Sequence, residues 1–271
     1  TPGANPGPGS DFAPVFAGGV GADIQEQEFS GNSTVSRSAA YSGGSTSNSA
    51  SGTVGLGFGQ FIAENNAPNS SFFAQAVANG GWQDSFLISN PALTGQSGFM
   101  QFTVHVTGDL DASGFAGSAG FAVTGYKDDV QLLVNPLFDP GNSTPLSTDR
   151  QYGNWAIATD FSTLNLTVAD TVTFAVPFTF GTPFDLGIYG RALAGMRSSS
   201  SVAGNSTASA DFASTMTWGG IVDVYHGSTP GAEYELESGS GIDWRGPFVP
   251  TPGATAILVV SCIGGTLRRR R

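Results

Sequence analysis

Phe99-Met100-Gln101-Phe102-Thr103-Val104-His105-Val106 decides the fold class. Phe102, Val104 and Val106 take one phase of a two-residue period, while Gln101, Thr103 and His105 take the other. Side chains alternate in this way across a β-strand, so the first set faces a core and the second faces water. Trp82-Gln83-Asp84-Ser85-Phe86-Leu87-Ile88 repeats the pattern, with Trp82, Phe86 and Ile88 on one face. Outward from these two stretches, strands are expected at residues 121–126, 130–134, 155–159, 164–166, 172–180, 184–191, 208–224 and 233–236, with 208–224 bent at Gly219-Gly220. Residues 108–120 are rich in Gly, Asp and Ser and read as a loop, which makes 121–126 the hairpin partner of the opening stretch. Residues 33–41 and 49–58 alternate weakly and read as edge strands, and residues 74–78 as one helical turn. Turn residues recur at sandwich-like spacing, and no 3.6-residue pattern persists. The expected fold is therefore all-β: an antiparallel β-sandwich or jelly roll over residues 23–248. A Gly/Pro/Ala-rich flexible arm is expected before it, at residues 1–22.

Composition points the same way. Charged residues make up 11% of the 271, against about 25% in an ordinary domain. Phe occurs 20 times and Lys once, at Lys127, which suits short strands better than solvated helices. The net charge is −11, yet four of the ten basic residues are Arg268, Arg269, Arg270 and Arg271. Residues 1–249 thus hold 21 acids against 6 bases, a balance of −15. Nucleic-acid phosphates need clustered Lys and Arg, so nucleic-acid binding is excluded as an expected function. The one cysteine, Cys262, lies in an apolar run and leaves the body without a disulfide. The sequence opens Thr1-Pro2-Gly3 without a Met or an apolar run, so the expectation is a chain trimmed at its front.

The end of the chain carries a different signal. Val249-Pro250-Thr251-Pro252-Gly253-Ala254 leads into an apolar run from Thr255 to Leu267, and the four arginines follow. The prolines break regular structure just before that run. From Pro252 to Leu267 a helix would reach about 24 Å at 1.5 Å per residue. That falls somewhat short of a ~30 Å hydrocarbon core. Arginines at its end would stay cytoplasmic and place everything before them outside. This arrangement resembles the PEP-CTERM sorting tails: a Pro-x-Pro motif, a short membrane helix and a closing Arg cluster. Val249, Pro250 and Pro252 match the usual Val-Pro-Glu-Pro, and Thr251 stands in place of Glu. The resemblance implies recognition by an exosortase-type membrane enzyme and processing near Pro250 and Pro252. It also implies delivery to the envelope, outer surface or extracellular polysaccharide matrix of a Gram-negative-type bacterium, with the membrane engaged through the helix before processing.

Candidate chemistry in the body is sparse. Asp109-Leu110-Asp111-Ala112-Ser113-Gly114 copies the opening of a calcium loop, with Asp109, Asp111 and Ser113 as oxygen ligands. Gly120 occupies the position where such a loop needs a bidentate Glu. Calcium is the one candidate cofactor, and a plain hairpin turn is the competing reading. Glu233, Glu235 and Glu237 share one strand face, which reads as a solvated guard against edge pairing. His105 and His226 are isolated, and no nucleophile elbow is present. Of the tryptophans, Trp82 and Trp218 are taken as candidates to stack on sugars, against a core role. The function expected is a structural surface or matrix protein without catalytic activity. A carbohydrate- or calcium-dependent binding module is the alternative.

Overall fold

The alternating segments form strands in a computed structural model that describes residues 10–248, except 13–14, 20–21, 27–28, 31–33, 44–45, 71–73, 115, 135–137, 140–141, 146–150, 159–161 and 197–203. The first half holds β1 (Ser10–Phe12), β2 (Val15–Gly19), β3 (Ala22–Glu26), β4 (Phe29–Ser30), β5 (Val35–Gly43), β6 (Thr46–Gly55), β7 (Phe58–Ser70), β8 (Ala74–Ser89) and β9 (Ser97–Gly114). The second half holds β10 (Gly117–Lys127), β11 (Val130–Gln131), β12 (Leu133–Val134), β13 (Phe138–Asp139), β14 (Asn142–Pro145), β15 (Tyr152–Ile157), β16 (Thr163–Thr179), β17 (Phe184–Met196), β18 (Gly204–His226) and β19 (Glu235–Ser238). The chain is all-β with antiparallel pairing throughout the long strands. One sheet runs in the order β12-β16-β9-β18-β7-β6-β5. In the other, β11 and β15 lie on β10, followed by β17 and β8. The far edge of β8 is covered in turn by β2 at residues 74–78, β1 at 81–83 and β19 at 86–89. An uncovered edge of that length would be a template for aggregation, and three short segments remove it.

Three expectations give way to this pairing. Residues 108–114 are strand rather than loop, because Leu110 and Ala112 point into the core while β16 and β18 pair with both edges of β9. Gly108 makes room for a neighbour instead of turning the chain: a Cβ there would sit 2.5 Å from the Phe212 ring. β10 is not the hairpin partner of β9, since the chain changes sheet after Gly114 and β10 pairs with β17 and β15. Residues 74–78 are not helical; Ala74, Ala76 and Ala78 are the buried phase of β8. The arm proposed at residues 1–22 contributes β1 and β2 to the edge of β8. At residues 74–78 and 108–114 ladder hydrogen bonds and burial outweigh a local propensity of under about 1 kcal/mol per residue. The bend expected at Gly219-Gly220 is present as a register shift in β18, where Gly220 has φ 99°. The C-terminal helix expected after Pro252 lies outside the described residues.

The two sheets share one core, and its centre is aromatic. Trp82 of β8 stacks on Trp244 at 4.7 Å between ring centres, and Trp218 of β18 meets both edge-on. Trp218 also stacks on Phe102 of β9 at 4.6 Å, so the cluster spans from one sheet to the other. Each such ring contributes about 1.5–3 kcal/mol by burial. Asp84 stands among them, fully buried in the same strand phase as Trp82 and Phe86. Its carboxylate accepts from the Trp244 indole at 2.8 Å, from Ser240 N at 3.0 Å, from Ser85 N at 2.9 Å and from the Ser240 hydroxyl. A buried carboxylate without such donors would cost several kcal/mol. With them it fastens residues 240–244, which follow β19, against β8. Trp218 Nε1 donates to Trp244 O at 2.8 Å and completes the tie. At one edge Tyr152 of β15 donates its hydroxyl to Asp170 of β16, joining the sheets there as well.

Two predictions follow from these contacts. Asp84→Ala leaves several buried donors unmet and should cost about 3–5 kcal/mol. Melting should fall by about 6–20 °C at 2–4 °C per kcal/mol, and an unchanged melting temperature would remove Asp84 from the fold's supports. The second concerns alkaline pH. Burial, then Asp129 and Tyr126, push the Tyr189 phenol up to about 12 from 10.0. Burial first, and then the hydrogen bond and charge of Asp170, also raise the Tyr152 phenol. The folded state therefore keeps these protons after the unfolded chain has released them. Stability should fall as pH rises from about 10 toward 12, and Tyr189→Phe should flatten that fall in melts taken across the range.

Candidate functional site

The outer face of the seven-stranded sheet is built from the outward phase of β6, β7, β18, β9 and β16. Small polar residues fill that phase, and the registers align them into rows across the strands. One row reads Ser49, Glu64, Ser209, Asp111, Asn165. The next reads Ser47, Asn66, Thr207, Ser113, Thr163. Rows two residues apart lie about 7 Å from each other, and strands within a row about 4.8 Å apart. Between these two rows runs a shallow open groove of about 790 Å³.

Each carboxylate on this face is held by a neighbour. Ser49 Oγ donates to Glu64 at 2.8 Å, and Thr167 Oγ1 donates to Asp109 at 2.8 Å. The Asn165 amide, turned with its nitrogen toward Asp111, donates to that carboxylate at 3.0 Å. The Ser113 and Thr207 hydroxyls share a hydrogen at 2.5 Å, and His105 Nδ1 meets Thr171 Oγ1 at 3.0 Å. The result is a lattice of fixed hydroxyls, amides and acids open to water. It can hydrogen-bond a hydrated polymer at many weak points.

The sequence candidates fall as follows. Asp109, Asp111 and Ser113 share the outer face of β9, but they do so along an extended strand. Successive members sit about 7 Å apart, and Asp109 and Ser113 about 14 Å, so the three do not wrap one cation at 2.3–2.6 Å as the ligands of a calcium loop do. The calcium-loop geometry is thus replaced by strand pairing on both edges. Among the described residues no group of three His, Cys, Asp or Glu side chains is placed to hold a metal. Trp82 and Trp218 are brought together, 5.7 Å apart, but each is only 1% exposed and neither offers a ring to a sugar. Their burial follows from the inward phase of β8 and β18. Glu233, Glu235 and Glu237 are exposed on one side, as expected of a solvated face. Val249, Pro250, Thr251, Pro252 and Arg268 to Arg271 lie outside the described residues. Phe248 just before them is anchored: its N–H donates to Trp218 O at 2.9 Å, and its ring stacks on Phe58.

Sequence reasoning missed Asp84 and Glu64. For Asp84 the signal was present, because an acid stood in the inward phase of Trp82-x-Asp84-x-Phe86. Glu64 had no such mark, since its neighbours in the row come from four other strands. No protein-family model, no curated protein and no solved structure matches the chain.

Asp109 lies directly opposite Asp211 on this face, and both are exposed. Like charges facing each other across an antiparallel pair are destabilising by about 0.2–1 kcal/mol. Asp211→Asn should therefore raise the melting temperature slightly at low salt, and the gain should shrink as salt is added. A lowered melting temperature would show that the Asp211 contact to Ala213 N, at 3.0 Å, outweighs the repulsion.

Proposed function

We propose that the chain is an exported bacterial surface protein with a structural, non-catalytic role in the envelope or extracellular matrix, delivered by its C-terminal tail. The observation that carries the reading is the order Val249-Pro250-Thr251-Pro252, apolar run, four arginines. It gives an exosortase-type enzyme an extended segment to read, a short membrane helix and a cytoplasmic charge cluster. Phe248 supports the division of labour, because the folded body is pinned up to the residue before that segment. The body itself reads as a jelly-roll sandwich. The orders β7-β18-β9-β16 and β8-β17-β10-β15, in which the chain crosses between sheets at most steps, support that reading, since two interleaved Greek keys have such orders. The outer polar rows suit contact with hydrated polysaccharide, and the −15 balance of residues 1–249 suits neutral or cationic partners.

A second reading is a carbohydrate- or calcium-dependent binding module at the cell surface. Its carbohydrate branch has one observation in its favour: Trp155 is 44% exposed on the sheet opposite the polar rows.

Mass spectrometry of the protein recovered from the surface of its native host tests the delivery step. Processing predicts a mature chain ending near Pro250–Pro252. Recovery with Arg271 intact would contradict it.

A further inference from the structure

The outer face of the sheet containing β8, β17, β10 and β15 differs in kind from the polar rows. Trp155 stands opposite Gly120, and a Cβ at Gly120 would come within 2.1 Å of the indole. The ring therefore lies down on the sheet, with 44% of the residue open to solvent. Tyr189 on β17 also lies over glycine, a Cβ on Gly81 opposite it coming within 2.6 Å of the ring; it is half-buried and meets Tyr126 edge to face at 5.1 Å. Glycine in a strand commonly marks such a close approach. Between the two rings lies a row with Arg191, exposed, facing Asn79 across β8.

Spacing follows from the registers. Trp155 pairs with Gly120 and Tyr189 with Thr124, four residues further along β10. At about 3.4 Å per residue and 4.8 Å per strand, the two aromatic positions lie roughly 17 Å apart. One sugar ring cannot reach both, so the geometry fits an oligomer.

We propose that this face is a glycan-binding platform for a neutral hexose oligomer, with Trp155 and Tyr189 as stacking surfaces and Arg191 and Asn79 as hydrogen-bond donors between them. A ring laid flat presents its π-face to the C–H face of a pyranose whose hydroxyls point outward around the rim. Arg and Asn supply directional donors to those hydroxyls. Polyanionic glycans are disfavoured by the 21 acids against 6 bases in residues 1–249. The proposal rests on the carbohydrate branch of the second reading and gives it a location.

The test uses the full chain in mild detergent, titrated with a β-1,4-linked glucose hexamer and, separately, a hexuronate of equal length. Trp155 is the exposed tryptophan, whereas Trp82, Trp218 and Trp244 are each 1% exposed. Glucose-hexamer binding should therefore change the tryptophan emission and protect it from acrylamide quenching. Trp155→Ala should abolish that signal and weaken binding by calorimetry at least tenfold. Trp155→Phe should retain part of the affinity. Arg191→Ala, an exposed change that leaves the rings in place, should weaken binding several-fold and serves if Trp155→Ala does not fold. Glucose-hexamer binding unaltered by Trp155→Ala and Arg191→Ala would overturn this location while leaving a carbohydrate module standing. Binding of neither oligomer would overturn both. Preference for the hexuronate would overturn the neutral class.

Discussion

The buried carboxylate of Asp84 is the constraint on which the rest of the architecture turns. It sits in the middle of the core and is neutralised by donors that come from far along the chain: the Trp244 indole, and the Ser240 amide and hydroxyl. Meeting those donors requires β19 to run beside β8 and then return the chain across the core. That return places Trp244 against both Trp82 and Trp218, completing a triangle of rings that brings the two sheets together. It also carries the chain to Phe248, whose amide closes on Trp218 O. A polar group in a dry interior is costly unless every lone pair is used. One acid thereby selects a single path for residues 238–248.

Around that centre, pairing decides conformation more than local preference does. Residues 108–114 hold Gly, Asp and Ser, all turn residues, and residues 74–78 hold three alanines in an apparent helical turn. Both become strand because each has a partner on both edges. Turns are placed where pairing stops. Asp128 and Asp129 adopt positive φ at the end of β10, and Asp128 caps the Asp185 amide at 2.8 Å. Asp tolerates that region through its short polar side chain. Burial, together with the nearby Asp128, Asp129 and Asp84 charges, raises the Asp185 carboxyl above its ordinary value.

The two outer faces have different chemistry. One bears rows of hydroxyls, amides and restrained carboxylates, and the other bears rings laid on glycine with an arginine between them. Under the proposed surface role the two faces divide the work, a hydrated contact on one side and a selective one on the other. Neither face includes residues of the tail proposed to direct delivery.

The amino-acid sequence by itself determined the all-β class, because period-two alternation in 99–106 and 82–88 permits no other secondary structure. It also carried the Pro-x-Pro segment, apolar run and arginine cluster on which the proposed delivery rests, since such a signal is linear and needs no fold. Burial of Trp82 and Trp218 could have been read from strand phase, but which tryptophan remained exposed could not. Only the tertiary structure decided that Trp155 lies open, that Asp109, Asp111 and Ser113 stand apart along a strand, and that Glu64 joins their rows. The physical reason is register: side chains from five strands, up to about 160 residues apart, become neighbours through hydrogen bonds between backbones. Those bonds are indifferent to the identity of the side chains they align.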